Sequence, residues 1–80
     1  MRSFLLHHRH APAECDAAFA SWHGFASPLR DSPAASTCLL GGHAVWWRVD
    51  AGDAAAALAL LPAFVAARTQ PVEVRDVLIP

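Results

Sequence analysis

Hydrophobic and polar positions change period several times along this chain, and each change marks an element. Ser3 to His10 alternates Phe4, Leu6, His8 and His10 against Leu5, His7 and Arg9, which predicts a strand ended by Ala11-Pro12. From Pro12 the spacing turns helical, with Cys15, Ala18, Phe19, Trp22 and Ala26 recurring at helical steps. Pro12 suits a first helical turn, Glu14 and Asp16 suit its positive end, and Gly24 suits a C-terminal stop. Ser27 to Pro33 reads as a loop. Ser36–Leu40 and Ala44–Val49 read as short strands around Gly41-Gly42, a hairpin signal. Asp53 is placed to cap a second helix, Ala54–Arg68, whose Leu58, Leu61 and Val65 share one stripe. Pro62 should kink or split that helix. Thr69-Gln70-Pro71 breaks the chain, and Val72–Ile79 predicts a last strand.

The order β-α-β-β-α-β predicts a single α+β domain over residues 1–80 in the ferredoxin-like arrangement. Its four-stranded antiparallel sheet would have strand order 4-1-3-2 with both helices on one face. Leu61-Pro62-Ala63-Phe64, followed by Val72-Glu73-Val74, resembles the second helix and last strand of muconolactone isomerases. The whole chain resembles a subunit of the dimeric α+β barrel superfamily. That superfamily includes muconolactone isomerases, YciI-like proteins, small quinone-forming monooxygenases and polyketide cyclases. The chain is also similar to short actinobacterial proteins of this layout. The resemblance implies this fold and the pairing of two copies.

Strand alternation sorts the side chains onto two faces. Phe4, Leu6, His8 and His10, with Val45, Trp47, Val49, Val72, Val74 and Leu78, form the set expected against the helices. Leu5, His7, Arg9, Ala44, Trp46, Arg48, Glu73, Arg75, Val77 and Ile79 form the other. A helix-free face carrying Leu5, Trp46, Val77 and Ile79 has too much apolar area to stay in water. It should be covered by a second copy, giving a homodimer with a polar-lined cavity.

Composition narrows the functional classes. The chain has 80 residues, a net charge of −1 with histidines neutral, and no lysine among its six cations. That balance offers no footprint for nucleic acid or for an anionic membrane. The most apolar stretch, Ala54–Ala67, contains Pro62 and is not expected to span a membrane. Phe4-Leu5-Leu6 is too short for a secretory leader, so a cytoplasmic location is expected. Cys15 and Cys38 lack zinc-type spacing and read as reduced core thiols. Gly41-Gly42 is a turn and not a phosphate-cradling loop, and no cofactor is expected.

The candidate chemistry lies in His7-His8-Arg9-His10 and Gly41-Gly42-His43, which antiparallel pairing of strands 1 and 3 brings to one end of the sheet. Three readings compete. In the first, the histidines are structural, half-buried or exposed near turns. In the second, a cofactor-free isomerase, cyclase or lyase uses His7, with His10 and His43 at the cavity mouth, as acid–base groups. Arg9, Arg48 and Arg75 would then hold an anionic or enolate oxygen of a flat substrate beside Trp46. The same cavity could instead serve a non-catalytic binding or regulatory module. In the third reading, His8, His10 and His43 bind a metal, joined by Glu14 or Cys38. This set ranks last because alternation turns His8 toward the helices. Trp22, Phe19 and Phe25 are expected in the core, His23 at its rim, and Arg68 at the negative end of the second helix.

Overall fold

A computed structural model describes all residues, Met1–Pro80. Strand β1 spans Arg2–Arg9. After the Ala11-Pro12 break a 3-10 turn over Pro12–Glu14 runs into helix α1, Cys15–Ala20. Strand β2 is Ala35–Ser36 and β3 is Ala44–Ala51. Helices α2 (Ala54–Leu58) and α3 (Ala63–Ala66) precede β4 (Thr69–Val74). The strands form one antiparallel sheet of order β2-β3-β1-β4, the arrangement expected.

Helix boundaries follow local chemistry. The Asp53 side chain accepts the Ala56 N–H at 2.8 Å and starts α2 as a cap. Pro62 cannot donate to the preceding turn, so the second helical segment is split into α2 and α3 rather than merely bent. Helix α1 is shorter than the hydrophobic spacing predicts. It ends in a turn at Ser21 to Gly24, where Gly24 takes a positive φ of 75°.

The β2–β3 connection is not a tight hairpin. The strand expected over Ser36–Leu40 ends at Ser36, and Cys38–Leu40 forms a 3-10 turn instead. Thr37 organises this turn. Its carbonyl accepts the Leu40 and Gly42 N–H groups, and its hydroxyl accepts the Ala44 N–H at 3.1 Å. These local bonds compete successfully with the strand ladder.

The core lies between the sheet and the helices. Phe4 and Leu6 from β1, Val49 and Ala51 from β3, and Ala57, Leu61 and Val65 from the helices are buried together. His8 continues the inward parity of Phe4 and Leu6 and is 2% exposed.

Strand β4 departs from expectation in extent and parity. It begins at Thr69, because Pro71 lies in an edge strand where its missing N–H costs no ladder bond. It ends at Val74, opposite Ser3, so Arg75, which the register would set opposite Arg2, lies outside the ladder. In this register Glu73 lies opposite Phe4 and Val72 opposite Leu5. Val72 and Val74 therefore belong to the helix-free face, and Glu73 to the helix side, the reverse of the expected assignment. Glu73 pairs with Arg2 at 2.8 Å rather than facing Arg75. Arg75, Val77, Leu78 and Ile79 follow the strand as irregular chain, and the three apolar residues are exposed. No helix is long and apolar enough to cross a membrane.

Candidate functional site

The sheet divides the expected site residues between two sides. His7, Arg9, Trp46 and Arg48 share the helix-free parity, as β1–β3 pairing sets His7 opposite Trp46 and Leu5 opposite Arg48. The His7 imidazole stacks on Trp46, with centroids 4.9 Å apart and planes 7° from parallel. Arg48 is paired with Asp76 at 3.0 Å. Arg75 lies with Arg2, Arg48 and Glu73 in a polar depression at the other end of the molecule. It does not converge on the histidines, because the antiparallel register runs β4 away from them, from Thr69 opposite His8 to Val74 opposite Ser3. His10 and His43 lie beyond the strand ends, joined by the His10 N–H to the His43 carbonyl at 3.1 Å. Their rings are 5.4 Å apart.

The helix side carries a cleft of about 350 Å³. Its walls are Ala18, Phe19 and Trp22 from the α1 region, Val45 and Trp47 from β3, and Val65 from α3. Cys38 and Leu39 contribute from the Thr37 turn. Phe19, expected in the core, is 56% exposed, since helix α1 stands off the sheet and leaves the cleft between them. His8 and His10 supply polar groups in this mostly hydrophobic lining.

These two histidines belong to a hydrogen-bonded relay whose direction can be deduced. The Thr69 hydroxyl donates to the Val65 carbonyl at 2.7 Å, and a carbonyl can only accept. Thr69 has then spent its one proton, so its oxygen accepts from His8 Nδ1 at 3.2 Å. Burial, followed by the neighbouring His10, pushes the His8 pKa below its ordinary value and keeps the ring neutral near pH 7. A neutral His8 protonated at Nδ1 presents a bare Nε2. That atom lies 2.8 Å from His10 Nδ1, which must therefore donate. In the neutral His10 ring the relay therefore puts the proton on Nδ1 and leaves Nε2 as a lone pair.

That lone pair has no partner. His10 Nε2 and His43 Nδ1 are buried polar atoms without a hydrogen bond. Buried orphans of this kind are costly and uncommon, and here two come from neighbouring rings. Cys15 also reaches this point. One ligand atom each from His10, Cys15 and His43 lies within 4.8 Å of the others.

The surroundings hold these side chains in place. Arg68 bonds Glu14 at 2.7 Å, donates to the Phe64 carbonyl at 2.9 Å and stacks over the Phe64 ring. It thereby ties the turn before Cys15 to the end of α3. Glu14 Oε1 also accepts the Ala11 N–H at 2.9 Å. The Arg68 hydrogen bond, then the Ala11 N–H, holds the Glu14 carboxyl below the usual carboxylate range.

Of the expected acid–base set, His7, His10 and His43 line one groove with Arg9 and Trp46, and His10 also borders the cleft on the helix side. The metal set that included His8 is also altered. His8 Nε2 and Nδ1 are both engaged, so His8 orients His10, and Cys15 takes the third position. Sequence reasoning missed Cys15, Thr69, Trp22 and Trp47 as site residues. Strand parity already placed Trp47 beside His8, but Thr69 was hidden behind Pro71. The helical spacing of Cys15 suggested core and gave no sign that the chain doubles back immediately after His10.

No protein-family model, no curated protein and no solved structure matches the chain.

Proposed function

We propose that this protein is a cofactor-free acid–base enzyme for a small, largely apolar molecule with one polar end, of the isomerase, cyclase or lyase kind. The observation that carries this reading is the hydrogen-bonded His8–His10 pair set into an otherwise hydrophobic cleft. The substrate's aromatic or aliphatic body would lie against Trp22 and Trp47, whose rings meet at a centroid distance of 5.9 Å, with its polar end at His10, next to His43. His10 Nε2 is an acceptor with a fixed tautomer, suited to removing a proton from carbon next to a carbonyl. His43 Nδ1, carrying its proton, would donate to the carbonyl oxygen as negative charge develops there. The proton returns from His10 to the neighbouring carbon, so the reaction is an isomerisation with no net loss of atoms or electrons. The relay through His8 to Thr69 supports the imidazolium formed in between.

This reading moves the chemistry from the helix-free face to the helix side. His7, Arg9 and Trp46 line a groove together with His10 and His43, and in this reading that groove is left to serve self-association. Leu5, Trp46, Val72 and Val74 share the helix-free parity, which supports a homodimer across it. Two free thiols suit a reducing compartment such as the cytoplasm.

Solvent-deuterium exchange tests the acid–base role without a known substrate. Small aryl ketones incubated with the protein in D2O should exchange their α-protons, followed by NMR. His10→Ala should slow the exchange by about 10²–10⁴-fold, while His7→Ala should leave it within a factor of a few. Exchange unaffected by His10→Ala, or lost in His7→Ala, would refute the assignment.

A further inference from the structure

We infer that His10, Cys15 and His43 form a binding site for a divalent transition metal of the zinc class, next to the point where His10 borders the cleft. The three residues come from different elements. His10 follows β1, Cys15 opens α1, and His43 precedes β3. The Ala11-Pro12 turn folds α1 back over the strand end, so three ligand atoms lie within 4.8 Å of one another. Metal–ligand lengths of about 2.0–2.3 Å place the donors of a tetrahedral site about 3.3–3.6 Å apart. Closing onto an ion thus needs a displacement of about an ångström, the scale of a side-chain rotation.

The second observation is the state of the nitrogens. His10 Nε2 and His43 Nδ1 are buried and unpartnered, and the ion would satisfy both at once. The relay from His10 Nδ1 through His8 and Thr69 to the Val65 carbonyl is the outer-shell arrangement that fixes a metal-binding imidazole in its ligating tautomer. Two imidazoles and a thiol favour zinc or cobalt over magnesium or calcium, which take oxygen ligands. Cys15 binds as thiolate, so loading releases its proton to solvent, while both histidines bind neutral and nothing is oxidised or reduced. Glu14 is not a fourth ligand, because Arg68 and the Ala11 N–H occupy its oxygens. The fourth position is left to water or to the polar end of a molecule in the cleft.

This site takes the His10 Nε2 lone pair that serves as base in the acid–base reading, so the metal-loaded and proton-transferring forms exclude each other, and they also need different states of His43. A metal requires a bare Nδ1, whereas donation to a ligand requires a proton there. Titration of metal-free, full-length protein with Co²⁺ alone tests the inference. The expected result is one ion per chain, with a thiolate-to-cobalt charge-transfer band and the intense visible bands of tetrahedral cobalt. Cys15→Ser should remove the charge-transfer band and weaken Co²⁺ binding at least about tenfold, and His43→Gln should weaken it similarly. Cys38→Ser should keep both the band and the affinity. Circular dichroism of the metal-free variants shows that each is folded before metal is added. Absence of a thiolate band in the wild type, or its loss in Cys38→Ser but not in Cys15→Ser, overturns the inference. Ketone exchange without Co²⁺ binding overturns it and leaves the acid–base reading standing. Thiolate-bound cobalt without ketone exchange supports it and removes the acid–base reading.

Discussion

Replacing Thr69 by valine isolates the relay that sets the state of His10. Thr69→Val keeps the shape of the side chain but removes the oxygen that accepts His8 Nδ1–H and donates to Val65. Val65 is not left bare, since the Arg68 N–H also reaches its carbonyl at 3.0 Å. The loss therefore falls on the His8 N–H, in a ring that is 2% exposed. Leaving a buried donor unpaired costs about 1–3 kcal/mol. Thr69 itself is only partly buried, which places this cost at about 1–2 kcal/mol. In a domain of this size each kcal/mol lowers Tm by about 4–8 °C, so a fall of about 4–16 °C is expected. In a His8→Leu background the same substitution has no imidazole N–H to strand, and Tm should fall by less than about 4 °C. A double-mutant cycle by thermal and urea denaturation measures the difference, with an expected coupling of at least about 1 kcal/mol. Additivity within about 0.3–0.5 kcal/mol would refute the relay as described.

Acid should expose the two carboxylate–arginine ties. Glu14 and Glu73 titrate below the ordinary value of 4.5, chiefly through hydrogen bonds from Arg68 and Arg2. The stability they contribute is full above that value and is lost as pH falls through their lower folded values. Tm measured against pH should fall more gently on the acid side in Glu14→Gln than in the wild type, and parallel curves would contradict this tie. Gly42→Ala should lower Tm and disturb the His43 resonances, because a Cβ there would collide with Thr37, whose hydroxyl and carbonyl hold the turn. An unchanged His43 spectrum in that variant would show that the turn does not position the ring. Trp46→Asp should weaken self-association in light scattering while leaving the cleft's tryptophan fluorescence response to aryl ketones intact. A folded wild-type monomer at micromolar concentration would refute the dimer.

Period-2 alternation was enough to read β1 and β3 and to place Phe4, Leu6 and His8 inward, because each pairs along its length. It failed in β4, where Pro71 looks like a terminator and only the register with β1 reveals the parity of Val72 and Glu73. Asp53 and Pro62 were legible because their effects are local. The convergence of His10 and His43 was legible from strand order. Cys15 and Thr69 were not, since the first depends on how sharply Pro12 turns the chain. The second depends on a long-range meeting between β4 and the inward side of β1. The arginines misled for a related reason. Arg48 and Arg75 promised an anion site by parity, but the β1–β4 register puts Arg75 at the far end of β1 from the histidines, and Asp76 pairs with Arg48.

The imidazole ¹⁵N–¹H correlation spectrum of the metal-free protein near neutral pH reports directly which nitrogen of His10 is bare. The predicted spectrum shows His8 and His10 both protonated at Nδ1, with the unprotonated His10 Nε2 resonance shifting when an aryl ketone is added and His7 unmoved. A His10 ring protonated at Nε2, or ketone shifts confined to His7, would contradict the relay and the placement of the site on the helix side of the sheet.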